Sequence, residues 1–382
     1  MMLIEYAGKK VLSDYGVPVP RGVFVKSSSE AAAEALKFGE AVLKVQIPAG
    51  GRGKAGGVRI VDARKENIQK VSSELLSSKF SGYEPVGLLV EEKVKYLQEF
   101  YISFTISDVK GMPLFLLSQV GGVDIEQNWN SSRGVSMFID PIEGVWEFKI
   151  RDAVIKSGID ANLAIRIASL ATKLYKIFQD LDCRLLEINP LAILEDGNII
   201  ALDAKIDLDE DAIYRQRPEI TNLIQLSRVN SVEERARTLG LNFVLLDNKG
   251  EVGVITGGAG LGMYTIDVLY GEGFRPANFL DLGGGVSKIK VKNAISLVAS
   301  LPSLKYIFVN VYGGINNLAE VAEGIVEAKS SLEVKVPILV KMQGHFEAQA
   351  KEILNKYGVA SVTTPNTRKA VRLLKGLIQD GE

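Results

Sequence analysis

A chain of 382 residues is longer than one hydrophobic core usually serves, so two or three domains are expected. Lys plus Arg number 45 against 46 for Asp plus Glu, a net charge of −1, which argues against nucleic-acid or membrane-surface binding through bulk charge. A single cysteine excludes an internal disulfide and fits a reducing cytoplasm; Cys183, within the apolar run "LDCRLLEI", reads as a core thiol rather than a nucleophile.

The opening "MMLIEYAGKKVLSDYG" carries acids and no long apolar stretch, so no signal peptide is expected. No apolar run approaches the ~20 residues that cross a bilayer. Residues 1 to about 20 read as a helix ending near "YGVPVP", whose prolines cannot continue it. "AVLKVQ" (41–46), "GVRIV" (57–61), "GLLVEEKV" (87–94), "EFYISFTIS" (99–107) and "PLFLLSQVGGVDIE" read as strands. A helix follows over "DANLAIRIASLATKLYKIFQDL" (160–181), with Asp160 as N-cap and apolar residues at three- to four-residue steps. Two strands flank "LEDGN". Strand hairpins with few helices make this half α+β.

From about residue 243 the rhythm changes. "EVGVIT", "ANFLDL", "YIFVNVY", "ILVKM" and "VASVTT" alternate with helical segments starting near 260, 288, 318, 346 and 366. Five β–α units in succession imply a parallel, doubly wound α/β sheet. The helix-rich stretch 220–242 joins the halves, so the expected division is 1–225, a linker over 226–242, and 243–382.

Glycine, 37 of the 382 residues, exceeds the usual ~7% and is clustered. "KVQIPAGGRGKAGGVRI" (44–60) contains Gly53–Lys54 but lacks the Ser or Thr of a P-loop, and a strand rather than a helix follows. A glycine loop between antiparallel strands can close its backbone N–H groups on phosphates, with Arg52 and Lys54 supplying charge and Lys44 reaching from the entering strand. An ordinary glycine-rich hairpin is the plainer alternative.

In "LLEINPLAILEDGNIIALDAKID" (185–207), Asp196–Gly197 signals a hairpin. A three-residue loop, Glu195–Asp196–Gly197, pairs Leu194 with Asn198, and counting back sets Asn189 opposite Asp203 and Glu187 opposite Lys205 on one side of the ladder. An amide oxygen facing a carboxylate suits Mg²⁺, a hard ion that keeps water and nucleotide oxygens as its other ligands. A two-residue loop would separate the pair, and solvated positions on an edge hairpin remain the alternative.

Three segments in this order, "KVQIPAGGRGKAGG", "EINPLAI…ALDAK" and "GGAGL…PANFLDLGGG…VNVYGGI", resemble the β subunits of ADP-forming succinate–CoA ligase (succinyl-CoA synthetase), and the resemblance covers essentially the whole chain. It implies an N-terminal ATP-grasp domain, then a flavodoxin-like CoA-ligase domain. It also implies conversion of a carboxylic acid, CoA and ATP to acyl-CoA, ADP and phosphate, with Mg²⁺. The nucleotide site would fall on Lys44, Gly51, Arg52, Gly53, Glu91, Val94 and Glu99, and the metal on Asn189 and Asp203. Glu187 would orient a phosphorylated histidine, and Pro20 resembles the ATP-type members. Gly257, Gly258, Ala259 and Gly260, with Gly314, Ile315 and Asn316, would face the acid substrate and the phosphohistidine. That histidine, and most of the CoA site, would belong to a separate α subunit, in an αβ or α₂β₂ assembly. His345, the only histidine here, matches no motif position.

The chain departs from the family pattern at Gly257 (asparagine is usual), at Asn317 (arginine is usual), at Pro48 and over "SQVGGVDIE" (118–126). Asparagine cannot supply the charge with which arginine clamps a carboxylate, so the acid could be succinate or another short carboxylate such as malate. A non-catalytic nucleotide-binding regulatory subunit is the third reading. A dinucleotide fingerprint is poorly met: Gly258 and Gly260 are followed by Met263, not glycine.

Overall fold

The computed structural model describes residues 1–62, 67–119, 134–228, 232–331, 334–374 and 376. The chain divides into two compact units, Met1–Val229 and Asn230–Glu382.

In the first unit, α1 (Glu5–Asp14) stops six residues before the end expected from sequence. Gly16 takes φ +71°, and the N–H groups of Gly16 and Val17 turn back to the carbonyls of Ser13 and Leu12, a left-handed glycine closure that ends the helix ahead of the prolines. β1 (Gly22–Val25), β2 (Glu40–Val45), β3 (Val58–Asp62) and β4 (Leu88–Glu92) form an antiparallel sheet in the order β1-β4-β2-β3.

One face of this sheet packs Val25, Leu43, Val45, Val61, Leu88 and Val90 with residues of α2 (Ser28–Phe38) and α3 (Ile68–Ser77). These two helices, and α4 (Glu147–Lys156), correct the expectation of few helices in this half. The buried side of α2 is Ala31 and Ala35, and that of α3 is interrupted by Ser72, so neither shows a bold apolar stripe. Local chemistry marks α2 instead, through the capping box between Ser27 and Glu30.

A second antiparallel sheet contains β5 (Gln98–Ile106), β6 (Pro113–Ser118), β7 (Gly134–Phe138), β8 (Cys183–Ile193), β9 (Ile199–Ala201) and β10 (Lys205–Leu208). Its order is β10-β8-β5-β6-β7, with β9 paired to β8. The expected strand over "QVGGVDIE" runs into residues 120–126, outside the described residues. α5 (Ala161–Asp180) starts at Asp160, whose carboxylate accepts the N–H groups of Asn162 and Leu163, and it lays Ile167, Leu174 and Phe178 on the sheet. Phe104 anchors that core, 5.2 Å from the Phe115 ring and 5.4 Å from Tyr175. Cys183 is buried here, and burial pushes its thiol far up, as an inert core residue requires. A 3-10 helix (Glu210–Arg215) and α6 (Pro218–Ser227) follow.

The second unit opens with α7 (Val232–Thr238) and β11 (Asn242–Leu245), a short edge strand with no alternating signal of its own. The five expected strands are β12 (Val252–Thr256), β13 (Asn278–Asp281), β14 (Tyr306–Gly313), β15 (Ile338–Gly344) and β16 (Ala360–Thr363), all mutually parallel where they pair. β11 joins β13 antiparallel, and the order β11-β13-β12-β14-β15-β16 contains the flavodoxin-like sequence 2-1-3-4-5. α8 (Ala259–Gly271) and α12 (Thr367–Leu373) cover one face through Val268, Leu269 and Val371. α9 (Lys288–Ala299), α10 (Leu318–Ser331) and α11 (Glu347–Lys356) cover the other through Ile295, Ile325 and Leu354. Strands buried on both faces explain the near-continuous apolar runs. Among the described residues no helix is long and apolar enough to cross a membrane.

Candidate functional site

Period-two alternation decides what the first sheet offers. While Leu43 and Val45 point to the helices, Val42 and Lys44 of β2, Val58 and Ile60 of β3, and Glu91 of β4 line a cavity of about 680 Å³. The loop Gln46–Gly57 passes over it, with Gly51 and Gly56 at φ +74° and +77°. Gly57 must be glycine for another reason, since a Cβ there would fall 2.5 Å from Val45 Cγ2.

The hairpin supplies the opposite wall. Leu194 N–H donates to the Asn198 carbonyl at 2.9 Å and Gly197 takes φ +77°, so the loop has three residues, as its composition predicts. The ladder then pairs Leu191 with Ala201 and Glu187 with Lys205, and the same count sets Asn189 opposite Asp203. Leu186 and Ile188 enter the core; Glu187, Asn189, Asp203 and Lys205 line the cavity.

Lys44, Gly51, Arg52, Gly53, Glu91, Val94, Glu187, Asn189 and Asp203 therefore share one cavity, with Pro20 beside them. Glu99 stands outside this lining, where its carboxylate accepts the Tyr96 hydroxyl at 3.3 Å.

Two charged residues that the motifs did not reveal hold the floor of the cavity. Glu5 of α1 is fully buried and lies 2.7 Å from Lys44 Nζ, 2.8 Å from Lys9 Nζ and 3.0 Å from Arg52 Nη1. Lys9 also meets Glu91 at 2.5 Å, and Lys44 meets Glu91 at 2.9 Å and the Leu202 carbonyl at 2.6 Å. Arg52 reaches Asp203 at 2.8 Å. Three cations thus meet three carboxylates, and compensation this complete is what makes burial tolerable. The Glu5–Arg52 contact is not aligned as a hydrogen bond: Oε2 and Nη1 are both buried without one. Burial alone would raise the Glu5 carboxyl, but Lys44, Lys9 and Arg52 outweigh it and hold it well below the usual carboxylate range. Burial likewise opposes the charge on Lys44, yet Glu5, Glu91 and Asp203 hold its ammonium well above the ordinary value. Lys9 goes the other way, because burial and the neighbouring Lys44 outweigh its carboxylates. A trace existed in the sequence: Glu5 and Lys9 are four apart on the same helix face as Leu12.

In the second unit, Gly257, Gly258, Ala259 and Gly260 lie where β12 meets α8, and Gly314, Ile315 and Asn316 follow β14. These are carboxyl ends of the two adjacent strands at which the strand order reverses, the place where open α/β sheets take ligands. Asp281 accepts the N–H groups of Gly258 (2.6 Å) and Gly283 (2.8 Å). Ile315 is exposed, whereas Asn316 is buried: it accepts Val286 N–H at 3.1 Å and donates to the Gly283 carbonyl at 3.3 Å. The missing side chain of Gly257 makes room for it, since a Cβ there would come 3.2 Å from Asn316 Nδ2. Asn317 caps α10, accepting Ala319 N–H at 3.0 Å. His345 is exposed, with its backbone N–H on the Gly313 carbonyl at 2.8 Å.

The family model of the ATP-grasp domain matches residues 2–193, and that of the CoA-ligase matches 255–374. The chain is 37% identical over 390 residues to the succinate–CoA ligase [ADP-forming] subunit beta of Alkaliphilus oremlandii (strain OhILAs), covering 98% of this chain and 100% of that protein. The chain belongs to the succinate–CoA ligase [ADP-forming] β-subunit family. Another member, from Aquifex aeolicus (strain VF5), is 35% identical over 98% of this chain and 99% of its own length. The fold of this β-subunit chain is also that of an ATP citrate lyase from Methanothrix soehngenii, solved with citrate and coenzyme A, with a TM-score of 0.69 at 18% identity over 98% of this chain and 99% of that one. Within the β-subunit chain, the ATP-grasp match spans the glycine loop and β8, and the CoA-ligase match spans the glycine turns after β12 and β14.

Proposed function

We propose that this chain is the nucleotide-binding subunit of an ADP-forming succinate–CoA ligase, converting succinate, CoA and ATP to succinyl-CoA, ADP and phosphate by way of a phosphohistidine on a separate α subunit. The observation that carries the proposal is the convergence of Lys44, Arg52, Glu187, Asn189 and Asp203 on one cavity. Its volume is in the range of small-ligand and cofactor sites. Val42, Val58 and Ile60 give an apolar wall for a base, and the loop and its cations lie where phosphates would go. Gly51, Arg52 and Gly53 enclose the triphosphate, and Glu91 and Val94 line the entry, while Glu99 on β5 stays outside the lining.

Asn189 and Asp203 fit Mg²⁺. Both offer hard oxygens on the same rung, and the Asp203 side chain is 36% exposed, which leaves the ion open to phosphate and water. The ion, when bound, neutralises charge on the phosphates. Around it the chain's own groups act: Lys44 and Arg52 set positive charge beneath the phosphates, and Glu187 accepts an N–H from the incoming imidazole and fixes its orientation. In the second unit, the backbone N–H groups at Ala259 and Gly260 open α8 with its positive end toward an anion, the phosphoryl on the partner's histidine. Gly314, Ile315 and Asn316 border the same rim. Catalysis needs the partner, and the pair works in the cytoplasm.

A second reading, the same chemistry on another short carboxylate such as malate, is favoured by Asn317, which caps a helix where the family pattern has a carboxylate-binding arginine. Incubation with the α partner and γ-labelled ATP tests the first reading: label on a partner histidine is expected, and an unlabelled partner overturns it. Turnover across a panel of acids separates succinate from the alternatives.

A further inference from the structure

The hairpin carries one cavity-facing cation that neither the glycine loop nor the metal pair uses. Lys205 of β10 is the ladder partner of Glu187, one rung beyond Asn189 and Asp203 on the same face. Rungs on one face are about 7 Å apart along a strand. Its Nζ stands 3.7 Å from Glu187 Oε2, too far for a hydrogen bond, and its side chain is 35% exposed. It also underlies the start of the glycine loop, 3.7 Å from where a Cβ of Gly50 would be.

Three other cations of the cavity are already engaged. Lys44 holds Glu5, Glu91 and a carbonyl; Arg52 holds Glu5 and Asp203; Lys93 is 3.1 Å from Glu40. Lys205, 3.7 Å from Glu187 and not hydrogen-bonded to it, keeps donor capacity, and it sits beside the carboxylate proposed to receive the acceptor.

We infer that Lys205 is a catalytic residue that holds the terminal phosphoryl group of the nucleoside triphosphate during its transfer, with Glu187 as its counter-ion when the site is empty. This rests on the nucleotide reading of the cavity. In the transfer, the bond between the terminal phosphorus and the bridging oxygen breaks, leaving that electron pair on the diphosphate. A bond forms from the acceptor nitrogen to the phosphorus. Lys205 stays protonated throughout and donates N–H to a non-bridging oxygen of the moving group. Glu187 accepts the acceptor's N–H from the same face of the hairpin.

Because Lys205 serves the terminal phosphate alone, removing it should separate triphosphate from diphosphate binding. The test measures Mg²⁺-dependent binding of ADP and of the non-hydrolysable analogue AMP-PNP to the full chain by calorimetry. Lys205→Met should weaken AMP-PNP about tenfold and leave ADP within about twofold, while Lys205→Arg restores most of the loss. In the complex with its partner, single-turnover phosphoryl transfer should fall about 100-fold in the Met variant. Unchanged AMP-PNP affinity, equal losses for both nucleotides, or native transfer in the Met variant would each overturn the assignment. Failure of the native chain to bind either nucleotide would overturn the cavity's nucleotide reading first, a result visible without any variant.

Discussion

Glu5 Oε1 accepts a hydrogen bond from Lys44 Nζ at 2.7 Å across 39 residues of sequence, and the carboxylate has no exposure at all. The helix that opens the first unit is thus tied to the strand that enters the glycine loop through a charge pair buried beneath the cavity. Replacing Glu5 with Gln keeps the shape and deletes the charge, leaving Lys44, Lys9 and Arg52 short of a partner. A loss of about 3–5 kcal/mol is expected, read from chemical denaturation of the first unit's transition. The loss is pH-dependent. The carboxyl is held low in the folded state, so its contribution is complete above the unfolded value of about 4.3 and declines as pH falls toward the folded one. The gap between native and Glu5→Gln proteins should therefore narrow below about pH 4; a gap constant to pH 3 would refute the charge assignment.

Asp203 faces both Arg52 and the rung of Asn189. With Asp203→Asn, Mg²⁺-dependent ADP affinity should drop by about 10–100-fold, measured by titrating the metal at fixed nucleotide. Binding in the absence of metal should change much less.

The hairpin turn sets that rung. Gly197 at φ +77° has Arg166 Nη1 3.1 Å from its absent Cβ, and Arg166 also hydrogen-bonds the Gly197 carbonyl. Gly197→Ala should cost about 1 kcal/mol through the left-handed backbone alone. Thermal melting will show the loss, and Mg²⁺ affinity will show whether the ladder has kept its register.

Asn317 is predicted to act as a cap. Asn317→Ala should cost about 1 kcal/mol in the second unit, visible in its melting, while Asn317→Ser retains most of the stability. If Asn317 instead touches the acid, the Ala variant would raise KM for the acid with little change in melting temperature.

Much of the architecture was written in local patterns. Five apolar runs at regular spacing could only be a parallel sheet, and the expected helix starts lie within a residue of Ala259, Lys288, Leu318, Glu347 and Thr367. The Asn189–Asp203 rung followed from the turn residues, because register in a hairpin is set by loop length. What stayed hidden depended on distance or on weak stripes. α2 buries alanines, which pack closely but carry little hydropathy. Glu5 and Lys9 look like an ordinary surface pair four residues apart, and only the sheet brought over them turns that pair inward. Arg52 is similar: the sequence offered it to a phosphate, and the fold adds Glu5 and Asp203 as partners that no local pattern announced.

The burial of Arg52 between exposed neighbours has a consequence for proteases. Gly51, Gly53, Lys54 and Ala55 are exposed, while Arg52 between them is only 8% exposed and ion-paired on two sides. A serine protease needs several consecutive residues in extended form, so a side chain pinned at the centre shields its own peptide bond but not those beyond it. Trypsin should nick the native chain after Lys54 and spare the bond after Arg52, and the preference should weaken when Glu5→Gln removes one of the guanidinium's two carboxylates and be lost when Asp203→Ala is added. The stretch is better pictured as two short tethers on a fixed post than as one swinging flap.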